Sequence, residues 1–202
     1  MIRQRMKVNI LRKTILAAAL VLCATASPAQ DFAIKTNLLY DATATANLGI
    51  EIGLSKRWTL DISGNVNAWE VDGDKSWKHL MVQPEARYWF CDRFAGHFLA
   101  IHAHAGAFNV GNISNDVTFL GTDFSDLSDY RFEGWFAGGG IGYGYAWVLG
   151  THWNIEAEIG VGYAFCQFDK FECYQCGKKI KEDCTYNYFG ITKVELGLVY
   201  VF

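Results

Sequence analysis

The sequence has few prolines and few charged residues, and outside its N-terminal region it lacks any long apolar run. Only 2 of its 202 residues are proline and 19% are charged, whereas 51% are hydrophobic and 15% are aromatic. A chain of this composition can bury a large apolar surface, which excludes an intrinsically disordered protein. The formal net charge is −3 and the body of the chain has no basic face, which argues against a nucleic-acid partner. The length suits a single domain.

Residues 1–29 have the pattern of a secretory signal peptide. The first thirteen residues carry five basic residues and no acid, an apolar run covers Ile15–Cys23, and small residues follow it. Because the run is too short to span a membrane, we expect removal on export, with cleavage after Ala29 or a close neighbour. A lipoprotein signal at Cys23 is an alternative, which the large leucine before it disfavours. The mature chain, 30–202, would carry 13 basic and 21 acidic residues, a net charge near −8.

The mature sequence has the composition of a membrane protein but no stretch of 18 apolar residues, so no transmembrane helix is predicted. A closed β-barrel is the other structure that can span a bilayer, because its strands satisfy every backbone hydrogen bond between them. Such a barrel presents alternating apolar residues to the lipid. A transmembrane barrel would therefore show a period of two along the chain.

Apolar and polar residues alternate along eight segments, and a helical period fits none of them as well. In one clear case Trp58, Leu60 and Ile62 share one face, while Thr59 and Asp61 share the other. Most of the segments reach the 9–11 residues, roughly, that a tilted strand needs to cross a bilayer. The segments are about 32–41, 46–55, 58–67, 79–90, 97–110, 135–149, 153–165 and 188–202.

The connectors between these segments alternate in length. The short ones are 55–57, 91–96 and 150–152, and the longer, polar ones are 70–78, 112–130 and 171–187. Short turns on one side and long loops on the other are typical of the periplasmic and extracellular ends of outer-membrane barrels. We therefore predict an all-β protein, an eight-stranded antiparallel up-and-down transmembrane β-barrel in the outer membrane.

Two further features favour the membrane form of the barrel. Aromatic residues cluster at the strand ends, as an interfacial girdle requires. The last strand, ending in Tyr200 and Phe202, has the pattern that barrel-insertion machinery recognises. The alternative is a soluble barrel of the lipocalin kind, which would turn its apolar face inward, and alternation alone does not say which face is inside.

Four stretches of the sequence resemble a family of small exported proteins from Bacteroides-type bacteria, the domain-of-unknown-function family 3575. The stretches are 35–41, 83–89, 96–104 and 156–163, and the Gln-Pro-Glu-Ala-Arg-Tyr-Trp motif at 83–89 is fairly specific. The resemblance covers about residues 32–202. It implies an outer-membrane barrel of the OmpA or OmpX type, and it brings no activity and no catalytic residue.

The alternation points nine charged side chains into the barrel. Because eight strands enclose just enough room for side chains, these groups should contact one another. Six acids and three bases cannot all form one-to-one pairs, so we expect a hydrogen-bonded plug, with a narrow cation-selective path as the alternative. The nine residues are Lys35, Glu51, Asp61, Glu85, Arg87, Glu156, Glu158, Lys193 and Glu195.

The histidines and serines give no catalytic constellation. His102 and His104 lie two apart on one strand and hence on one face. Zinc would need three or four ligands and no third one is identified, so structural hydrogen bonding to Glu or Asp is the favoured interpretation. Ser114, Ser125 and Ser128 lie in a long connector, and no spacing ties them to a histidine. We predict no enzymatic activity and no cofactor.

The cysteines are the most distinctive local feature. Cys166, Cys173, Cys176 and Cys184 have the spacing C-x6-C-x2-C-x7-C, and Cys91 lies apart in a short turn. In an exported protein disulfide bonds are the default, and a metal site with the same four thiolates is the alternative. Four cysteines allow three disulfide connectivities, among which the sequence does not choose.

Two classes of function are compatible with these features. The first is a structural or surface-interaction barrel whose long loops contact other surface proteins or glycans. The second is a transport role, as a narrow pore or conduit for a small solute. We favour the first, with outer-membrane lipid and the barrel-assembly machinery as further partners.

Overall fold

Strands form wherever polar and apolar residues alternate. A computed structural model describes residues 31–68, 70–71, 75–111, 118–119, 122–123, 130–171 and 179–202. Its main strands are β1 (Phe32–Asn37), β2 (Ala46–Gly53), β3 (Trp58–Asn67), β4 (Lys75–Trp89), β5 (Gly96–Gly111), β6 (Arg131–Val148), β7 (Trp153–Phe171) and β8 (Lys179–Val201). A short helix, α1 (Leu38–Ala42), follows β1. Among the described residues, no helix has the length and apolarity that a membrane crossing requires.

The eight strands form one antiparallel sheet that closes on itself. Each strand pairs with its neighbours in sequence, and β1 also pairs with β8, so the sheet is a ring. Two-residue strands flank it: Glu70–Val71 pairs with the start of β4, and Thr118–Phe119 pairs with Thr122–Asp123. The residues from Phe32 to Phe202 make up one compact unit. The predicted all-β fold of eight antiparallel up-and-down strands is confirmed.

The strand lengths differ from those predicted. β1 to β3 have 6, 8 and 10 residues, whereas β4 to β8 have 15 to 23. The predicted connector 171–187 was wrong in extent, because β7 continues to Phe171 and β8 begins at Lys179. The start of β8 is polar on both faces and so lacks alternation, but pairing with β7 continues the backbone ladder through it.

The first strand ends earlier than predicted because Asn37 caps a helix there. Its side-chain oxygen accepts a hydrogen bond from the backbone N–H of Leu39 at 3.1 Å, the interaction that favours Asn at a helix N-cap. The same side chain also bonds to β8, donating to the carbonyl of Val194 at 3.0 Å and accepting from Leu196 at 3.2 Å. Asn37 thus replaces the next rung of the β1–β8 ladder.

Polar side chains point into the ring and apolar side chains point outward. On β3, for example, Thr59 and Asp61 are buried, while Trp58, Ile62 and Val66 are exposed. The same division holds around the ring, where exposed outward residues include Ile34, Ile50, Val82, Leu99, Ile101, Ile141, Tyr143, Ile159, Val161 and Val194. A soluble barrel has the opposite arrangement.

An apolar layer closes the interior at the short-turn end. Trp89 packs on Phe98 in a tilted arrangement with ring centroids 4.6 Å apart, and Phe94 packs beside them from the turn after β4. The indole N–H of Trp89 donates to the hydroxyl of Thr59 at 2.9 Å, so this buried ring has no unsatisfied donor. The remaining members of the layer are Ala33, Ala100, Ala146, Val199 and Val201.

The inward glycines of β6 make room for side chains from the neighbouring strands. A Cβ at Gly140 would lie 2.9 Å from the Nε2 atom of His102, and a Cβ at Gly144 would overlap the ring of Phe98. Both contacts would be shorter than 3.0 Å, which real Cβ atoms essentially never show. The glycine-rich inner face of β6 is therefore the space that the larger inward residues of β5 and β7 occupy.

Candidate functional site

The nine charged side chains predicted to face inward lie together in the middle of the ring, directly above the apolar layer. All nine are between 0 and 8% exposed. They come from β1, β2, β3, β4, β7 and β8, because the closed sheet brings inward positions from opposite sides of the ring within reach of one another. We call this set the charge network.

Arg87 on β4 is the centre of the charge network. Its Nε donates to Glu85 at 2.6 Å, and its Nη1 donates to Glu51 and Glu156 at 3.0 and 2.8 Å. Its Nη2 donates to Glu158 at 2.9 Å. These carboxylates belong to β2, β4 and β7, so one guanidinium joins strands on opposite sides of the ring. Its planar set of donors suits such multiple contacts better than an ammonium would.

Lys35 on β1 neutralises one side of the charge network. Its ammonium donates to Glu51 at 2.5 Å and lies 3.2 Å from Asp61 and 3.6 Å from Glu156. The other oxygen of Glu51 accepts a hydrogen bond from the hydroxyl of Thr59. Every polar atom of the Glu51 carboxylate therefore has a partner, as a fully buried charge requires.

Lys193 on β8 neutralises the other side. Its ammonium lies 2.8 Å from Glu85, 2.9 Å from Glu158 and 3.0 Å from Glu195. Because three cations face six carboxylates, the ionised network would carry a net charge of −3. The second oxygens of Glu156 and Glu158 are buried and have no hydrogen-bond partner among the described residues.

A small polar cavity lies above the charge network, toward the long connectors. Its volume is about 20 Å³, which holds roughly one water molecule. The amide nitrogens of Asn65 and Gln83 line it and are buried without a hydrogen-bond partner among the described residues, so they can donate to such a water. The ring of Phe98 covers the network from below, 4.5 Å from the guanidinium carbon of Arg87. At this level the side chains of the described residues therefore fill most of the interior.

The two histidines of β5 lie at the edge of the charge network. Both are buried, and their ring centroids are 5.8 Å apart. The Nε2 atom of His102 is 2.8 Å from the hydroxyl of Thr192, and its Nδ1 is 3.7 Å from Glu85. His104 packs against Phe136. Hydrogen bonding to Thr192, rather than to a carboxylate, holds the His102 ring.

An aromatic belt surrounds the outside of the ring at the short-turn end. Its members form two contacting series, one from Trp58 to Trp147 and one from Trp153 to Phe32, with ring centroids 4.5 to 6.5 Å apart. Tyr200 and Phe202 belong to it: Tyr200 packs on Trp153, and Phe202 packs on Phe32. The belt consists of Phe32, Trp58, Tyr88, Phe90, His97, Tyr143, Tyr145, Trp147, His152, Trp153, Tyr200 and Phe202.

At the opposite end β4 to β8 extend beyond β1 to β3, and the ends of β7 and β8 are two of these projecting segments, with β6 paired along the other side of β7. Asp169 links the two projecting segments, because it contacts the ammonium of Lys179 at 2.9 Å and accepts from the backbone of Asp183 at 3.0 Å. The hydrogen bond from Lys179 holds the pKa of Asp169 below its usual value. We call the segments 166–171 and 179–187 the projecting hairpin.

Cys166 and Cys184 lie on facing strands of the projecting hairpin, two rungs apart and both half-buried. Among the described cysteines none forms a disulfide, and Cys91 is exposed in a short turn. Cys173 and Cys176 lie outside the described residues, as do Ser114, Ser125 and Ser128. Disulfide bonding of the four clustered cysteines, with a metal site as the alternative, therefore stays a prediction.

Sequence reasoning missed one ligand-like group, the trio Glu85, His102 and Glu158. One oxygen or nitrogen atom from each lies within 4.8 Å of the others, and all three residues are buried. Part of the trio could have been predicted from the sequence. Glu85 and His102 are equidistant from the centre of a short turn, which predicts that they pair across a hairpin, and they are direct partners in the β4–β5 ladder. Glu158 joins them only through ring closure, which no local pattern reveals.

A protein-family model described as "Protein of unknown function (DUF3575)" matches residues 14–202. The match covers nearly the whole chain, including all nine residues of the charge network. No curated protein and no solved structure matches the chain.

Proposed function

The chain belongs to the DUF3575 family, and we propose that it is a small outer-membrane β-barrel with a structural or surface-interaction role. Catalysis is not part of the proposal. The observation that carries it is the orientation of the ring, with apolar side chains outside and a paired charge network inside. A lipocalin-like binding barrel would need the reverse orientation.

Lipid is the solvent that suits the outer surface. Ile101, Ile141 and Phe189 are 66, 63 and 78% exposed, and they belong to an apolar surface that runs around the ring. Soluble monomers rarely expose apolar patches larger than a few hundred Å². Covering this surface is worth about 25 cal/mol for each Å² removed from water. A closed ring also leaves no strand edge unpaired within the bilayer.

The aromatic belt supports an orientation in the membrane. Tyrosine and tryptophan favour the headgroup region, and in outer-membrane barrels short turns face the periplasm. Trp135 and Phe165, whose rings are 5.8 Å apart, lie near the other end of the apolar surface and suit the outer interface. In this orientation both ends of the exported chain are periplasmic, and Tyr200 and Phe202 are the signal for the barrel-assembly machinery.

The projecting hairpin is the surface we propose for interaction with other surface proteins or glycans. From Cys166 to Phe171 it continues for six residues beyond Phe165, roughly 20 Å at the rise of an extended strand. Its β8 segment, 179–187, is mostly polar and exposed, and Ile180 within it is 49% exposed. The filled interior, by contrast, gives little support to a transport role.

Photo-crosslinking on intact cells tests the interaction role. A photoreactive residue at position 180, on the projecting hairpin, is expected to give a discrete adduct, because this side chain is 49% exposed and lies beyond the proposed membrane-facing surface. The same residue at Ser55, in a short periplasmic turn, is the matched control and should not give that adduct. The product is read on a denaturing gel after illumination.

A truncated protein checks that the hairpin itself is responsible. Gln167 and Thr185 are direct partners, so an Asn-Gly turn can join them and replace 168–184. Gly111 and Arg131 are likewise partners, and joining them in the same way removes another external connector as a control. The proposal is supported if the molecule crosslinked at position 180 no longer binds at the cell surface in the first truncation and still binds in the control truncation. A site at 180 that gives no adduct contradicts it.

A further inference from the structure

We propose that the ring binds one divalent transition-metal ion, Zn²⁺ or one of similar ligand preference, between Glu85, His102 and Glu158. The three residues come from β4, β5 and β7, and they are 1, 2 and 4% exposed. Their ligand atoms lie within 4.8 Å of one another. One imidazole nitrogen and two carboxylate oxygens are ligands that Zn²⁺ accepts, usually with water in the fourth position.

The hydrogen bonding of the His102 ring is a second, independent indication that this site binds a metal ion. Its Nδ1 is buried and has no hydrogen-bond partner in the described part of the chain, although Glu85 lies 3.7 Å away. Its Nε2 is 2.8 Å from the hydroxyl of Thr192. If Nε2 carries the proton and donates it to Thr192, Nδ1 presents a lone pair toward the carboxylates. Histidines that bind metals are generally held in this way by a hydrogen bond at the other nitrogen.

The backbone around His102 is shaped to hold the ring in this position. A Cβ at Gly140 would lie 2.9 Å from its Nε2, and a Cβ at Gly160 would lie 2.8 Å from its Cε1. Two strands therefore lack side chains where the imidazole sits. The carboxylate of Glu158 also has one buried oxygen without a hydrogen-bond partner among the described residues.

The charge of the network favours an additional cation. Six carboxylates face three cations, and an unpaired buried charge is costly. The ammonium of Lys193 bridges Glu85 and Glu158 at 2.8 and 2.9 Å. It also lies 3.0 Å from Glu195, so it can keep one partner when the metal takes the other two. Lys193 is thus a competitor for the site.

Calorimetric titration with ZnCl₂ tests this inference on the full mature chain folded in detergent. All five cysteines are first changed to alanine, because their thiolates would bind zinc themselves. We expect one site per chain. His102→Gln should weaken binding by at least about tenfold, since it removes a direct ligand. His104→Gln, two residues away on the same face, is the matched control and should change the affinity less than twofold.

Two further variants extend the zinc titration to a second proposed ligand and to the competing cation. Glu158→Gln should also lose binding, although it lowers the buried negative charge and so should not impair folding. Lys193→Met should bind Zn²⁺ more tightly, because the competing ammonium is gone. A faster-migrating band in unboiled gel samples verifies the fold of each variant. Absence of saturable binding, equal effects of the two histidine variants, or unchanged affinity in Lys193→Met would overturn the inference.

Discussion

Replacing Arg87 by methionine is expected to cost about 3–5 kcal/mol of unfolding free energy, because it leaves several buried carboxylates without their shared cation. The guanidinium contacts four glutamates within 3.0 Å and is itself 0% exposed. Methionine fills a similar volume, so the loss reports charge rather than a cavity. Arg87→Lys should also destabilise the protein, since an ammonium has three donors and cannot replace the hydrogen bonds of the guanidinium to four glutamates.

Denaturant titration in phosphatidylcholine vesicles, followed by tryptophan fluorescence, measures this loss. Arg57→Met is the control, because Arg57 is exposed in a short turn and its guanidinium donates a long hydrogen bond to Tyr88 at 3.4 Å. Its unfolding midpoint should stay close to that of the wild type. Adding Glu156→Gln to Arg87→Met should restore part of the stability by removing one orphaned charge, because Arg87 is the hydrogen-bond donor to this carboxylate and its other oxygen has no partner among the described residues. If Arg87→Met unfolds at the wild-type midpoint, the network does not hold the ring together.

Ile141→Arg is expected to destabilise the membrane-inserted protein by about 2–4 kcal/mol, the cost of a charge on the lipid face near the midplane. Ile141 lies on the outer face of β6, six residues from both Trp135 and Trp147, and is 63% exposed. In a soluble ring the same change would be at an exposed site and worth no more than about 0.5 kcal/mol. The size of the effect therefore distinguishes a lipid-covered surface from one in water.

Leu149→Arg is the matched control for Ile141→Arg. Leu149 is 60% exposed and continues the outward alternation of β6, but it lies just beyond the aromatic belt. At that depth an arginine should cost only about 0–1 kcal/mol. Both variants are measured by the same titration in vesicles. Equal and small effects at the two positions would contradict a lipid-facing surface.

The sequence predicts much of the fold because a period of two determines which residues share a face. The alternation around Asp61, Glu85 and Glu156 is enough to identify the inward charges. It does not identify their partners, because Arg87 reaches Glu156 across the ring, and closure depends on pairing β1 with β8 at opposite ends of the chain. Local patterns carry no information about that contact.

Two other features depend on contacts that are distant in sequence. The start of β8 is a strand only because β7 lies beside it, so residues 179–187 resemble a polar loop when read alone. The early end of β1 depends on Asn37, whose side chain bonds both to the adjacent helix and to β8. An asparagine in an alternating segment does not reveal which of these roles it has.

The most direct test of a lipid-covered outer surface is the behaviour of the full mature chain with vesicles. Protein folded into phosphatidylcholine vesicles is extracted with alkaline carbonate, and the pellet is run on a denaturing gel, boiled and unboiled, with and without reductant. The protein is expected to stay in the pellet, and the unboiled band is expected to migrate faster, as for a closed, detergent-resistant sheet. A protein that is soluble without lipid or detergent and gives one band in both samples would contradict a lipid-covered outer surface.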